Sequence, residues 1–446
     1  MPPHDSTARV LFLPEFIHLI FSFCLDTGDC WRLSGKSLYM LAGAAQVNRL
    51  WFECATEKIW SHLEAPYHLL LVPHHRRHMY ASKIVTLHLD STNVAKFYRE
   101  FRSLEFSRLR KLEVATDGGK LGLTKPFCVP SVQKFMFSGT AIRPWMIHYL
   151  QNCLQLTTIH IDLIRVDWDH QPPFTSGVLL DIVKNLRFLQ KLRFKSNSRG
   201  FISGDLLVHL AGRFTPFPRL TTLGLVAPSA SIGRLVPWLR NLTSLDLKLE
   251  DSDPDVLLRI AHLTTLTKLS LIYYNRTHIS AESIMALRHL SQLQKLIIRP
   301  HSTFIAPVTI TSDLSDDDCE RVTSHWPNLN FISLVVDWAN LSTKGLISLA
   351  RSCRCLTTCH TSQKFNFDEL FADGSDGEVL FPQVKDMRLA FLVPGRTEVH
   401  YLTPTSGIDD LYYYLTKTSH YQLAPLVISY GGDLLHYLLH VQLGGV

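Results

Sequence analysis

Apolar residues return along this chain at fixed offsets. In "LRNLTSLDL" (239–247) they fall at −3, 0, +3 and +5 from Leu242, as Leu239, Leu242, Leu245 and Leu247. The same offsets recur around Ile84, Leu109, Val132, Leu156, Leu189, Leu220, Leu266, Leu293, Leu329, Leu356 and Val384. Of all the positions so defined only Thr361 is polar. Successive copies start 22 to 36 residues apart. Because side chains alternate across a strand, +3 and +5 predict the inward side of a short strand in each copy. Positions +2 and +4 then face outward. Four buried side chains contribute roughly 6–12 kcal/mol per copy, whereas ordering some 25 residues costs about 40 kcal/mol. One copy cannot fold alone, so neighbours must share a continuous core.

One strand plus one return segment per repeat is the geometry of the leucine-rich repeat. Several return segments read as helices: "SAESIMALRHL" with Ser280 as N-cap and Glu282 in its first turn, "DDDCERVTSHW" from Asp316 with Glu320, and "LSTKGLISLARSC" from Leu341. The Asn or Cys expected three residues past +5 is present only as Asn197; Thr92, Asp117, Thr140, Pro228, Glu250 and Asp337 are among its replacements. The predicted array is therefore an irregular strand–helix solenoid of about twelve repeats over 80–390. Residues 391–446 lose the repeat and read as a C-terminal helical cap.

The N-terminus follows a different pattern. In "LFLPEFIHLIFSFCLDTGDC" (11–30) the run from Phe16 to Phe23 covers a wide helical face. Pro14 suits the first helical position, and Glu15 the positive end of the helix dipole. With His18 they argue against a secretory leader. In "LAGAAQVNRLWFECATEKIWSHL" (41–63), Leu41, Ala44, Ala45, Val47 and Trp51 share one face, with Ile59, Trp60 and Leu63 on another. Three short helices cannot bury this much apolar surface among themselves, so an exposed apolar face is expected, and such a face marks a protein interface. Residues 65–79, with "HHRRH" at 74–78, read as a linker.

Composition adds exclusions. The chain of 446 residues is 46 % hydrophobic and 19 % charged, with net charge +6. That is too dilute a charge to imply nucleic acid, and no apolar run reaches the length of a membrane span. Nine scattered cysteines form no disulfide framework, and an intracellular home, cytoplasmic or nuclear, is expected. A secreted protein would instead carry glycans, at Asn275 or Asn340. In Cys353-Arg-Cys355-Leu-Thr-Thr-Cys359-His360, Cys353 and Cys359 occupy the −3 and +3 core positions, so the cluster reads as core rather than as a zinc site. "DSDPD" (251–255) and "SDLSDDDCE" (312–320) lack the spacing of calcium loops. No catalytic motif stands out, so neither an enzyme nor any metal or cofactor is expected. On the outward strand positions, Lys111, Lys134, Lys191, Lys268 and Lys295 form a +2 row, while His160, Arg193 and Asp246 lie at +4. Lys191, Arg193 and Lys195 make the densest basic spot, and together with His160 and Asp246 they are the candidate substrate-binding residues.

The N-terminal residues resemble the F-box. Leu13-Pro14-Glu15, the helix Ile17–Phe23, Val47-Asn48-Arg49-Leu50-Trp51, and Trp60 with Leu63 match its pattern over about 10–64. Asn48, where Cys is commonest, and the long "DTGDCWRLSGKS" connection depart from it. With the repeats that follow, the chain looks like the F-box/leucine-rich-repeat proteins. The resemblance implies that Leu13, Pro14, Glu15, Ile17, Ile20, Phe21, Leu41, Val47 and Trp51 hold a Skp-family adaptor. It also implies a non-catalytic substrate receptor of a cullin–RING ubiquitin ligase, with repeats that bind a protein substrate. A plain interaction scaffold, its helices docked on the solenoid edge, is the alternative.

Overall fold

The computed structural model describes residues 13–24, 34–63, 66–90, 100–116, 127–140, 144–163, 186–196, 218–301, 309–366, 382–392 and 399–401. The chain divides into two compact units, Met1–Phe174 with Asp181–Ser198 and Thr175–Leu180 with Arg199–Val446.

The first unit opens with helices α1 (Pro14–Cys24), α2 (Gly35–Ala44) and α3 (Arg49–Ser61). The side chains of Ser34 and Asn48 cap α2 and α3 by accepting from Ser37 N and Trp51 N. Strand β1 (His62–Leu63) then starts a parallel ladder with β2 (Thr86–Asp90), β3 (Lys111–Thr116), β4 (Lys134–Gly139), β5 (Thr158–Leu163) and β6 (Lys191–Ser196). Residues 66–81, most of the expected linker, are instead folded as α4 (His68–Leu71) and α5 (His74–Ala81). Arg77 holds them in place, donating to the carbonyls of Val72 and Leu70 and to the Glu100 carboxylate. Helix α6 (Pro144–Asn152) precedes β5.

In the second unit, β7 (Thr222–Ala227), β8 (Ser244–Leu249), β9 (Lys268–Tyr273), β11 (Lys295–Pro300), β13 (Phe331–Leu334), β15 (Thr358–Asn366) and β16 (Asp386–Leu392) pair in parallel. A second parallel sheet joins β10 (Thr277–Ile279), β12 (Ile310–Ser315) and β14 (Asp337–Asn340). Helices α7 (Ser229–Leu235), α8 (Val256–Ile260), α9 (Ala281–Ala286), α10 (Asp316–Thr323) and α11 (Thr343–Ser352) fill return segments. Ser280 caps α9, and Ser315 forms a capping box with Asp318 on α10. The architecture is α/β, a leucine-rich-repeat stack behind N-terminal helices. The expected cap over 391–446 lies outside the described residues except for 391–392, the end of β16, and β17 (Val399–Tyr401), which pairs antiparallel with β16.

Every one of the twelve predicted copies starts a strand at its +2 position. Among the described −3, 0, +3 and +5 side chains all are buried except Val129, Leu334 and Thr361, which are half-buried. The −3/0 spacing has a backbone cause. In each described copy with both residues placed, the amide at 0 donates to the carbonyl at −3, as Leu242 does to Leu239 and Leu329 to Trp326. Neighbouring copies are tied one residue later: the carbonyl of Thr243 accepts from both Thr267 N and Lys268 N, and that of Gln133 from Thr157 N and Thr158 N. The hydroxyls of Thr157, Thr243, Thr267 and Thr357 add a third bond to the same carbonyl of the preceding copy. A threonine ladder thus joins repeats where the usual Asn is missing.

Carboxylates make a further tie. Asp251 accepts from Ser229 N at the start of α7, and Asp313 from Ala281 N at the start of α9. Asp316 accepts from Ser342 N (2.8 Å), Ser342 Oγ (2.6 Å) and Gly345 N (2.9 Å) at the start of α11. A Cβ at Gly345 would collide with that carboxylate and with Leu341. Asp316→Ala removes all three bonds, leaving Gly345 N only its longer bond to the Ser342 carbonyl, and a loss of about 2–3 kcal/mol is expected from charge-assisted bonds of this kind. Denaturant unfolding checks this; Asp316→Asn, which keeps one acceptor, should lose less.

Candidate functional site

The three N-terminal helices close a small core of their own. Ile17, Phe21, Leu41, Cys54 and Ala55 are buried in it, with Met40, Leu50, Trp51 and Ile59 packed around them. Phe21 meets Trp51 edge-on at 5.8 Å. Helix α3 also anchors this body to the repeats. Trp60 stacks on Tyr80 at 4.9 Å, Arg108 pairs with Glu57 at 2.6 Å, and Lys83 Nζ donates to Thr56 Oγ1 at 2.6 Å. The Arg108 guanidinium holds the Glu57 carboxyl below its usual range, and burial lowers Lys83.

What this core leaves outside is apolar. Leu13, Phe16, Leu19 and Phe23 on and before α1, Leu38 and Tyr39 on α2, and Val47 are exposed, with Phe23 at 82 % and Val47 at 62 %. The expected adaptor set is therefore divided. Leu13, Pro14, Glu15 and Val47 are exposed, and Ile20 and Trp51 are half-buried. Ile17, Phe21 and Leu41, at 0–1 % exposure, sit in the helical core. Sequence reasoning missed Phe16, Leu19, Phe23, Leu38 and Tyr39 as surface residues. A helix apolar on nearly all sides gives no periodic signal for its outer face.

The second candidate surface is the outward side of the strands. In the first unit the register aligns three rows: Thr86, Lys111, Lys134, Thr158 and Lys191; His88, Glu113, Met136, His160 and Arg193; Asp90, Ala115, Ser138, Asp162 and Lys195. His160, Lys191, Arg193 and Lys195 are thus brought together on β5 and β6. Asp246 is not with them; it lies on β8 of the second unit, between Gly224 and Ser270. Glu113 accepts from His88 Nδ1 at 3.2 Å and pairs with Lys111 at 2.5 Å. The His88 bond, opposed by partial burial and reinforced by Lys111, holds the Glu113 carboxyl down at about 2.

That depression has a signed consequence. A carboxyl lowered by folding stabilises above its unfolded value and loses that stability as pH falls through its folded value. The first unit should lose about 2 kcal/mol between pH ~4.5 and ~2 from this group. Glu113→Gln should flatten that segment of the stability–pH curve, measured by thermal melts across the range.

The cysteine cluster at 353–360 is split between core and surface. Cys353 and Cys359 are buried, their thiols pushed up to about 12 by burial, whereas Cys355 is exposed. Among the described residues no group of three or more His, Cys, Asp or Glu is placed to hold a metal ion. A cavity of about 50 Å³ lies in the second unit beside Cys319, Trp326, Trp338, Leu349 and Cys359, and its wall is almost wholly apolar. Cys359 and Thr361 reach it from positions where other copies carry larger apolar side chains. Among the described residues no helix is long and apolar enough to cross a membrane. The side chains of Asn241, Asn275 and Asn340 donate to carbonyls of the preceding copies, Pro218, Glu250 and Asp313.

No protein-family model and no curated protein matches the sequence. Solved structures do. An internalin (inlF) from Listeria monocytogenes is similar at 16 % identity over 65 % of this chain and 77 % of that one, with a TM-score of 0.35. A TDR receptor is similar at 15 % identity over 75 % of this chain and 50 % of that one, with a TM-score of 0.40. The yeast Rad7–Elc1 complex contains a chain similar at 14 % identity over 80 % of this chain and 86 % of that one, with a TM-score of 0.33.

Proposed function

We propose that this protein is a non-catalytic substrate receptor of a Skp–cullin–F-box type ubiquitin ligase. Its N-terminal helices bind a Skp-family adaptor and its repeats bind a protein substrate. The observation that carries the reading is the apolar surface of the helical body. That body already has a closed core, so Leu13, Phe16, Leu19, Phe23, Leu38, Tyr39 and Val47 are not needed for folding and remain in water. Such surface is costly unless a partner covers it. The Leu-Pro-Glu start of α1 and the Val-Asn-Arg-Leu-Trp start of α3 supply the F-box likeness. The adaptor contacts are accordingly reassigned to these exposed residues, with Pro14 and Glu15 at the rim and Ile17, Phe21 and Leu41 as their support.

In this role the protein contributes proximity. A substrate held on the strand face meets the charged ubiquitin carrier at high effective concentration, and no acid, base or nucleophile of this chain takes part. The reading places the protein in the cytoplasm or nucleus. Co-purification of a Skp-family adaptor with the full chain tests it: a stoichiometric complex is expected, and a folded chain that leaves the adaptor in the flow-through contradicts it.

A further inference from the structure

We infer that the substrate is captured through an extended segment bearing Asp or Glu side chains, laid across β4–β6 of the first unit. The inference rests on the receptor reading for its biological meaning, but not for its chemistry.

Charge on this face is unevenly matched. At the β2–β3 end, Glu113 is engaged by both Lys111 and His88. At the β4–β6 end, Lys134, Lys191, Arg193 and Lys195 face only Asp162, and none of these four cations has an ion-pair partner among the described residues. Lys134 and Lys191 are exposed, while Arg193 and Lys195 are half-buried. Arg193 is the most telling. Its Nε is buried and donates to no acceptor among the described residues. A guanidinium donor removed from water without an acceptor is costly. A carboxylate that takes Nε and the adjacent terminal nitrogen together satisfies it with the paired geometry that guanidinium favours.

Spacing fits an extended peptide. Strands lie about 4.8 Å apart, so Lys134 and Lys191, two strands distant, anchor roots about 10 Å apart. Acidic residues two or three positions apart in an extended segment span about 7–10 Å. A nucleic-acid strand fits less well. The outward positions of β2–β6 hold no Phe, Tyr or Trp to form a stacking platform for successive bases, and their two imidazoles, His88 and His160, are three strands apart. Asp162 also stands among the cations, where it would repel a continuous phosphate backbone.

The test is fluorescence anisotropy with the full chain. Its probes are a short Glu-rich peptide, the same peptide with Gln for Glu, a phosphoserine version, and single-stranded oligo(dT). The Glu peptide should bind at least about tenfold tighter than the Gln peptide at low salt, and the difference should shrink as salt rises. Lys134→Glu with Lys191→Glu, or Arg193→Gln alone, should each remove about tenfold or more. Lys268→Glu, on the second unit's strand face, should change nothing. Should the double reversal disturb folding, Lys134→Gln and Lys191→Gln, at exposed positions, must still weaken the Glu peptide. Equal binding of Glu and Gln peptides overturns the inference, as does insensitivity to these variants. Tighter binding of oligo(dT), or of the phosphoserine peptide, overturns the carboxylate assignment. Phe16→Asp with Phe23→Asp should leave peptide binding intact, so a failed adaptor experiment and a failed peptide experiment are separable.

Discussion

Replacing Phe16 and Phe23 together by Asp should abolish adaptor capture and leave the chain folded. Both rings lie on α1 and are exposed, Phe16 at 43 %. Their positions i and i+7 place them on one side of the helix. Buried apolar anchors at the centre of an interface contribute about 2 kcal/mol or more each, so two lost anchors correspond to roughly a thousandfold in affinity. Because neither ring fills the helical core, the melting temperature should move little. Phe21→Asp is the informative contrast. It would bury a carboxylate beside Ile17 and Leu41 at a cost of several kcal/mol, and both folding of the N-terminal body and capture should be lost. Calorimetric titration with the adaptor, run beside thermal melts, separates the two outcomes. If the double variant binds as the native chain does, the exposed face is not the docking surface.

The largest stability effect is expected at Trp326. It occupies a −3 position and is almost wholly buried, and its indole Nε1 donates to the Leu287 carbonyl of the preceding copy at 3.0 Å. Trp326→Ala removes the contacts, enlarges the adjoining cavity and takes one of two donors from that carbonyl, which keeps its bond from Leu290 N. A loss of about 4–5 kcal/mol follows from a large-to-small core change of this size. Because a repeat stack is coupled mainly between neighbours, the damage should concentrate in β11, β13 and β15. Hydrogen exchange should show protection lost there while β2–β5 keep theirs. Trp326→Phe should cost about half as much. A global loss, or one below about 1 kcal/mol, would contradict this placement of the indole.

The repeats were legible because their signal is redundant. Four offsets recur in copy after copy, and each marks a side chain that the neighbouring copies must cover. The exposure of Lys134 and Lys191 followed from the same alternation, as did the core placement of Cys353 and Cys359. Three features were hidden, each for a physical reason. Helix α1 is apolar on every side but the strip of Glu15, His18 and Ser22, so its sequence does not say that Ile17 and Phe21 turn inward while Phe16 and Phe23 turn out. Residues 66–81 form helices too short to show a period, and they are held by Arg77, a residue that reads as solvent-facing. The sheet of β10, β12 and β14 comes from "THI", "ITSDLS" and "DWAN", whose pairing depends on repeats some thirty residues away. The threonine ladder was visible as Thr157, Thr243, Thr267 and Thr357 at a single offset. Recognising it requires looking one residue past the hydrophobic positions, at a side chain whose partner is a backbone carbonyl of another repeat.

The most direct measurement is hydrogen exchange of the full chain with and without a purified Skp-family adaptor. Amides of 13–24 and 34–47 should gain protection on mixing, while the strands of the second unit stay unchanged. Exchange in those helices that is identical in both samples, at adaptor concentrations of tens of micromolar or about −6 kcal/mol of binding, would contradict an adaptor-binding role for the N-terminal body.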